Sequence, residues 1–197
     1  MANLADRATS GRGARRREQL VAAGLDLLAE GGWPAITARA VAERSGANTG
    51  LIHYHFGGLA GLRRDVARAG TEQVLEPFAE ALLERGSVGE VLDELARIIP
   101  ASTDDDRAMR IAVELVVGAQ REPDLCDVLR DELREARGRI ADRVAALYPH
   151  WGPRRCTGAA VLVTALLDGL VLHVMADREV PVGAASEALR DLLEGAD

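Results

Sequence analysis

Residues 37–56 read TARAVAERSGANTGLIHYHF, two short helical segments broken by a glycine-containing turn. Thr37 is a plausible N-cap for a first segment through Arg44. Ser45, Gly46, Ala47 and Asn48 interrupt it, and a second segment is expected from about Thr49 to His55. Two short helices joined by such a turn form a helix-turn-helix. Val41, Ala42 and Ile52 are small or branched apolar residues that let the helices cross closely, and Gly46 permits the sharp turn. The second segment then presents Asn48, Thr49, Gly50, His53 and Tyr54, a polar and aromatic set suited to base edges and phosphates in a major groove. Gly50 costs helix stability there but lets the backbone approach DNA closely.

The flanks read as further helices. Upstream, Leu20, Gly24, Leu27 and Gly31, with Val21, Leu25 and Leu28 alongside, recur at helical spacing, and Gly31 with Gly32 is expected to end that helix. It begins with Arg15, Arg16 and Arg17, a run read as phosphate contacts because it precedes a helix-turn-helix. Residues 1–13 are small, polar and glycine-punctuated, and are expected to be a flexible arm whose Arg7 and Arg12 reach an adjacent groove. Downstream, Gly57 and Gly58 precede a longer helix from Leu59, which Pro77 is expected to kink or break. His53 and His55 do not suggest a metal site, since i and i+2 on a helix point to nearly opposite sides.

Beyond residue 86 the pattern continues as helices separated by Gly, Pro and Asp. One covers residues 88–99 and is expected to stop at Pro100. Ser102 or Thr103 then caps the next, with Asp104, Asp105 and Asp106 favoured in its first turn by the helix dipole. Pro123 opens a long helix striped by Leu125, Leu129, Leu133, Ala136, Ile140, Val144 and Leu147. Residues 156–176 are apolar over a length that would span a bilayer, but Asp168 lies in their middle. We therefore read a core or interface helix there and no membrane span. A last amphipathic helix carries Ala188, Leu189, Leu192 and Leu193. The expected fold is all-α, with about nine helices: an arm over 1–13, a three-helix DNA-binding domain over 14–58, and a helical effector-binding and dimerisation domain over 59–197.

Charge divides the same way. The net charge of −7 averages residues 1–70, with ten arginines and six carboxylates (+4), and residues 71–197, with fourteen and twenty-five (−11). A basic head meets an anion, and a larger acidic body does something else. All the positive side chains are arginine. Cys126 and Cys156 lack zinc-finger spacing and make a disulfide scaffold implausible, so a cytoplasmic location is expected. No Gly-x-Ser-x-Gly elbow, P-loop or His-Glu-x-x-His occurs, and neither enzymatic activity nor a cofactor or metal is expected.

The ordered series Arg15-Arg16-Arg17, Leu-Leu-Ala-Glu-Gly-Gly, Ile36-Thr37, Val41-Ala42, Gly46, Gly50 and Tyr54-His55-Phe56 resembles the N-terminal DNA-binding domain of the TetR family of transcriptional regulators. The likeness is close over about residues 14–68. Beyond them it rests on size, helical pattern and the Ala165-x-x-Asp168-Gly169-Leu170 run. It implies a homodimeric repressor on a pseudo-palindromic double-stranded DNA operator, with half-sites about 34–36 Å apart or a multiple of that. A small-molecule effector bound in the body would release it. Residues 158–176 and 184–193 would pair with their mates in a four-helix bundle. By motif position, Thr37 and Arg39 would contact phosphate or base. Asn48, Thr49, Gly50, Leu51, His53 and Tyr54 would form the recognition surface, and His55 would hold a phosphate. Arg16 stands for the arginine run in the same interface.

Two departures matter. His53 replaces the usual Tyr, and Leu59 replaces the usual Lys, removing a phosphate anchor for which Arg63 or Arg64 is a candidate substitute. In the body, Met109, Val113 and Val117 read as core that can double as a pocket wall. Asp168 and His173 read equally as effector ligands or as satisfied polar groups at a subunit interface. Leu59 and the acidic total support an alternative, a helical small-molecule-binding protein without DNA-binding activity.

Overall fold

The computed structural model describes residues 4–194, with no β-strand among them. Nine helices follow in order: α1 (Leu4–Ala35), α2 (Ala38–Arg44), α3 (Gly50–Phe56), α4 (Leu59–Leu83), α5 (Val88–Thr103), α6 (Asp106–Arg121), α7 (Pro123–Leu147), α8 (Pro153–Ala176) and α9 (Val182–Glu194). The all-α expectation holds. Helix α1 starts earlier than the sequence suggests, so residues 4–13 extend it rather than forming an arm. Leu, Ala and Arg in this segment favour the helix enough to carry Gly11 and Gly13 within it. Residues 1–3 of the expected arm, and the groove contact expected of the Arg7 side chain, lie outside what is described.

Helix boundaries show where proline is tolerated. Helices α4 and α5 run unbroken through Pro77, expected to kink or break α4, and Pro100, expected to stop α5. Both prolines sit on exposed sides, where water can take the carbonyl that proline leaves without a partner. Gly32 does interrupt α1 as expected, with φ 68° and ψ −170°. At the start of α6 the cap is Asp105 rather than Ser102 or Thr103: its Oδ1 accepts from the amides of Arg107 and Ala108, each at 3.0 Å.

Packing divides the chain into two compact units that cut across the expected boundary at residue 58. The first comprises the chain through Glu72 together with Arg110–Arg130; the second comprises Gln73–Met109 and the chain from Asp131 on. Helices α4, α6 and α7 each contribute to both units, which a linear division cannot express.

In the first unit Leu20, Leu28, Ile36, Val41, Ile52, Leu62, Val66 and Ile111 are fully buried. Gly24 lets α1 approach α4, since a Cβ there would lie 2.4 Å from a Val66 methyl. Trp33 is buried at the end of α1, where its indole N–H donates to the Glu114 carbonyl at 2.6 Å and its amide donates to the Glu114 carboxylate at 3.2 Å.

In the second unit Phe78 and Leu82 of α4 pack with Leu95 and Ile99 of α5, Ile140 of α7, Ala160, Leu167 and Val174 of α8, and Val182 of α9. Arg139 of α7 donates to both carboxylate oxygens of Glu76 on α4, at 3.0 and 3.2 Å. Helix α8 buries only one stripe, Cys156, Ala160, Leu167 and Val174. Its other side exposes Val161, Leu162, Leu166, Leu172 and Met175.

Candidate nucleic-acid interface

The turn between α2 and α3 is built from local hydrogen bonds. Thr37 Oγ1 accepts from the Ala40 amide at 3.1 Å and caps α2, as expected. Gly46 has φ 61°, the left-handed conformation that a tight reversal requires. Ser45 Oγ donates back to the Val41 carbonyl at 2.7 Å, and the Ala47 amide donates to the Ala42 carbonyl at 2.8 Å. Helix α3 begins at Gly50, against an expected start at about Thr49. Thr49 makes no side-chain cap; instead Asn48 Oδ1 accepts from the Leu51 amide at 3.2 Å. A Cβ on Gly50 would sit 3.1 Å from that same oxygen, so glycine also keeps the cap uncrowded.

Helix α3 is anchored by Ile52, which is fully buried. Around that anchor Asn48, Thr49, Gly50, His53 and Tyr54 are exposed and Leu51 is half-buried. Tyr54 is 80% exposed, high for an aromatic residue without a partner surface. His55 is half-buried and meets the Tyr54 ring edge-on, with centroids 4.9 Å apart. Thr37 and Arg39 are exposed at the start of α2. The fold thus brings the residues expected from α2 and α3 to the surface of the helix-turn-helix.

The arginines upstream and downstream are differently placed. Arg16 is half-buried, and its Nη1 donates to the Ser45 carbonyl at 3.4 Å. Arg17 pairs with Asp65. Arg63, one candidate for the missing anchor at Leu59, is committed inward: it donates to Glu122 at 3.1 Å and to the carbonyls of Trp33 and Ile36 at 3.0 and 3.4 Å. A guanidinium spent on three internal acceptors is not a phosphate anchor. Arg64, the other candidate, pairs with Asp124 at 2.8 Å between exposed side chains.

The expected effector residues differ in exposure. Met109 is buried, whereas Val113 is exposed and Val117 half-buried. Asp168 and His173 stand on the exposed side of α8, away from its buried stripe. Partial withdrawal from water pushes the Asp168 carboxyl above the ordinary aspartate range, and the Arg137 guanidinium pulls it part of the way back. A cavity of about 210 Å³ opens in the first unit beside Ala60, Pro123 and Leu125. It is smaller than most small-molecule sites and none of these five residues lines it. Among the described residues no group of three or more His, Cys, Asp or Glu is placed to hold a metal. What sequence reasoning missed is the Trp33–Glu114 contact, whose faint signal is a tryptophan directly after Gly31 and Gly32.

Comparison with known proteins gives concordant results. Residues 20–66 match the family described as bacterial regulatory proteins, tetR family, and residues 90–196 match the BetI-type transcriptional repressor C-terminal family. The HTH-type transcriptional regulator BetI of Stenotrophomonas maltophilia is 28% identical over 164 residues, 80% of each chain. A Streptomyces coelicolor structure described as a transcriptional regulator superposes with a TM-score of 0.74 and 28% identity, covering 90% of this chain and 96% of that one. A Saccharomonospora viridis structure, described as a transcriptional regulator in complex with choline, shares the fold at a TM-score of 0.65 and 18% identity, covering 92% and 96%.

Proposed function

Because the chain belongs to the TetR family of transcriptional regulators, we propose that it is a homodimeric repressor, held on a pseudo-palindromic operator and released by a small organic cation. Family membership makes it a DNA-binding regulator of transcription and not an enzyme. The contacts we assign to DNA are Thr37, Arg39, Asn48, Thr49, Gly50, Leu51, His53, Tyr54 and His55. Their exposure around a buried Ile52 supports this. With Leu59 in place of a cation and Arg63 engaged internally, the head holds the backbone through fewer phosphates. Its affinity should therefore fall less steeply with salt than if that lysine were present.

The observation that carries the dimer is the outer side of α8 with the end of α9. Leu162 and Leu172 are each 65% exposed and Leu192 is 72% exposed. Helix α8 is long and apolar enough to cross a membrane, with a mean hydropathy of 2.1 over an 18-residue stretch. Asp168 on that exposed side is costly in lipid, and a second copy of the chain covers the leucines without that cost. We place the protein in the cytoplasm, where its operator is.

The charge of −11 over residues 71–197 supports a cationic effector, and the choline complex of the Saccharomonospora viridis protein makes choline the first probe. Footprinting of DNA flanking the protein's own gene should show a protected pseudo-palindrome, and absence of protection at low salt would overturn the operator. Choline should release that DNA while its uncharged isostere 3,3-dimethylbutan-1-ol should not; equal action, or none, removes the cation from the proposal. Light scattering should give twice the chain mass, reduced to one chain by Leu162→Glu with Leu172→Glu.

A further inference from the structure

Helix α3 has seven residues, too few to hold its own conformation or direction in water. Its pose depends on what grips its ends. At its C-terminal end Gly57 adopts φ 69°, and its amide donates to the His53 carbonyl at 3.0 Å. The next helix, α4, approaches so closely that a Cβ on Gly61 would lie 1.9 Å from the Phe56 carbonyl oxygen. Across this junction lies Arg17 of α1. Its guanidinium sits 5.4 Å from the centroid of the Phe56 ring, and its Nη2 donates to Asp65 Oδ2 on α4 at 2.5 Å. Asp65 is only 18% exposed and also receives Arg68 at 3.6 Å. One arginine therefore touches the last residue of the recognition helix and the helix behind it.

We propose that Arg17 is a positioning residue for operator recognition, holding the Phe56 end of α3 against α4 through its ring contact and the Asp65 carboxylate, and not a phosphate contact. A guanidinium suits this task because its plane can lie over a ring while its edge donates to a carboxylate. The neighbouring Arg16, bonded to the Ser45 carbonyl, reaches the turn at the other end of α3, so adjacent positions on α1 address both ends. The inference rests on the head binding DNA, and protection of the operator by the wild-type chain tests that separately.

The experiment measures affinity for operator and for unrelated DNA across a salt series, using the full-length chain. Arg17→Gln and Asp65→Asn should each weaken operator binding about tenfold, the scale of losing one or two such contacts. Affinity for unrelated DNA and the slope of log affinity against log salt should stay at wild-type values, because loss of register affects base contacts and not charge neutralisation. The double variant should be no worse than either single one, and Arg17→Lys should not restore operator binding. A phosphate contact gives the opposite pattern. Arg17→Gln would lower the salt slope by about one and weaken unrelated DNA equally, Lys would rescue, and Asp65→Asn would tighten binding by releasing the cation. Either that pattern or wild-type operator affinity in all variants overturns the proposal. Should Arg17→Gln fail to fold by circular dichroism, the nearly isosteric Asp65→Asn decides alone.

Discussion

Gly61 shows how a single missing side chain sets the interface. A methyl group there would meet the Phe56 carbonyl at 1.9 Å; the carbonyl is backbone and a Cβ is fixed by its own backbone, so neither can rotate away. Gly61→Ala should therefore destabilise the head by about 1–3 kcal/mol in denaturant unfolding and reduce operator affinity further, by displacing α3 from α4. Trp33 tests a different residue-level contact. Trp33→Phe keeps most of the buried ring but removes the indole N–H that reaches the Glu114 carbonyl at 2.6 Å. A loss of about 1–2 kcal/mol is expected by the same measurement. Neither contact could be read along the chain, because Phe56 and Gly61, or Trp33 and Glu114, become partners only when their helices meet. The motif residues themselves were legible: Gly46 takes the left-handed turn, Ile52 is the buried anchor, and Thr37 caps α2.

At the level of elements, helix existence followed from apolar periodicity, and the ends depended on capping chemistry. Asn48 accepts from the Leu51 amide ahead of α3, and Asp105, not Ser102 or Thr103, opens α6. Several short polar residues in a row are each competent to cap, and the backbone angle that selects one is not visible in composition. Asn48→Ala should cost about 1 kcal/mol of stability by thermal unfolding. It should lower operator affinity by more than the unfolded fraction accounts for, since α3 begins at this cap. Helix breaks at proline were over-read for a related reason. Pro77 and Pro100 lie on exposed faces where the lost hydrogen bond falls to solvent, and α4 and α5 continue through them.

Across the whole molecule, the outer side of α8, which we propose as the dimer face, also carries the Asp168 carboxyl, raised above its ordinary range chiefly by partial withdrawal from water. A carboxyl with a raised folded-state value binds a proton more readily in the fold than in the unfolded chain. Its contribution is therefore greatest at low pH and is lost as pH rises through the window just above the ordinary aspartate range. Asp168→Asn should flatten the pH dependence of the melting temperature in that window and leave the neutral-pH fold intact; an unchanged profile would remove Asp168 from this role. Helical class, the helix-turn-helix and the division of charge into a basic head and an acidic body were all legible along the chain. Periodicity, turn residues and charge are local quantities that survive without knowledge of who packs on whom. The packing units were not legible. Helices α4, α6 and α7 each serve two bodies, and Arg63 turns inward to Trp33, Ile36 and Glu122 instead of toward a phosphate. Such choices depend on the rotation of one helix against another, set by close approaches such as Gly24 on Val66 and Gly61 on Phe56, which involve residues far apart in sequence or on different helices.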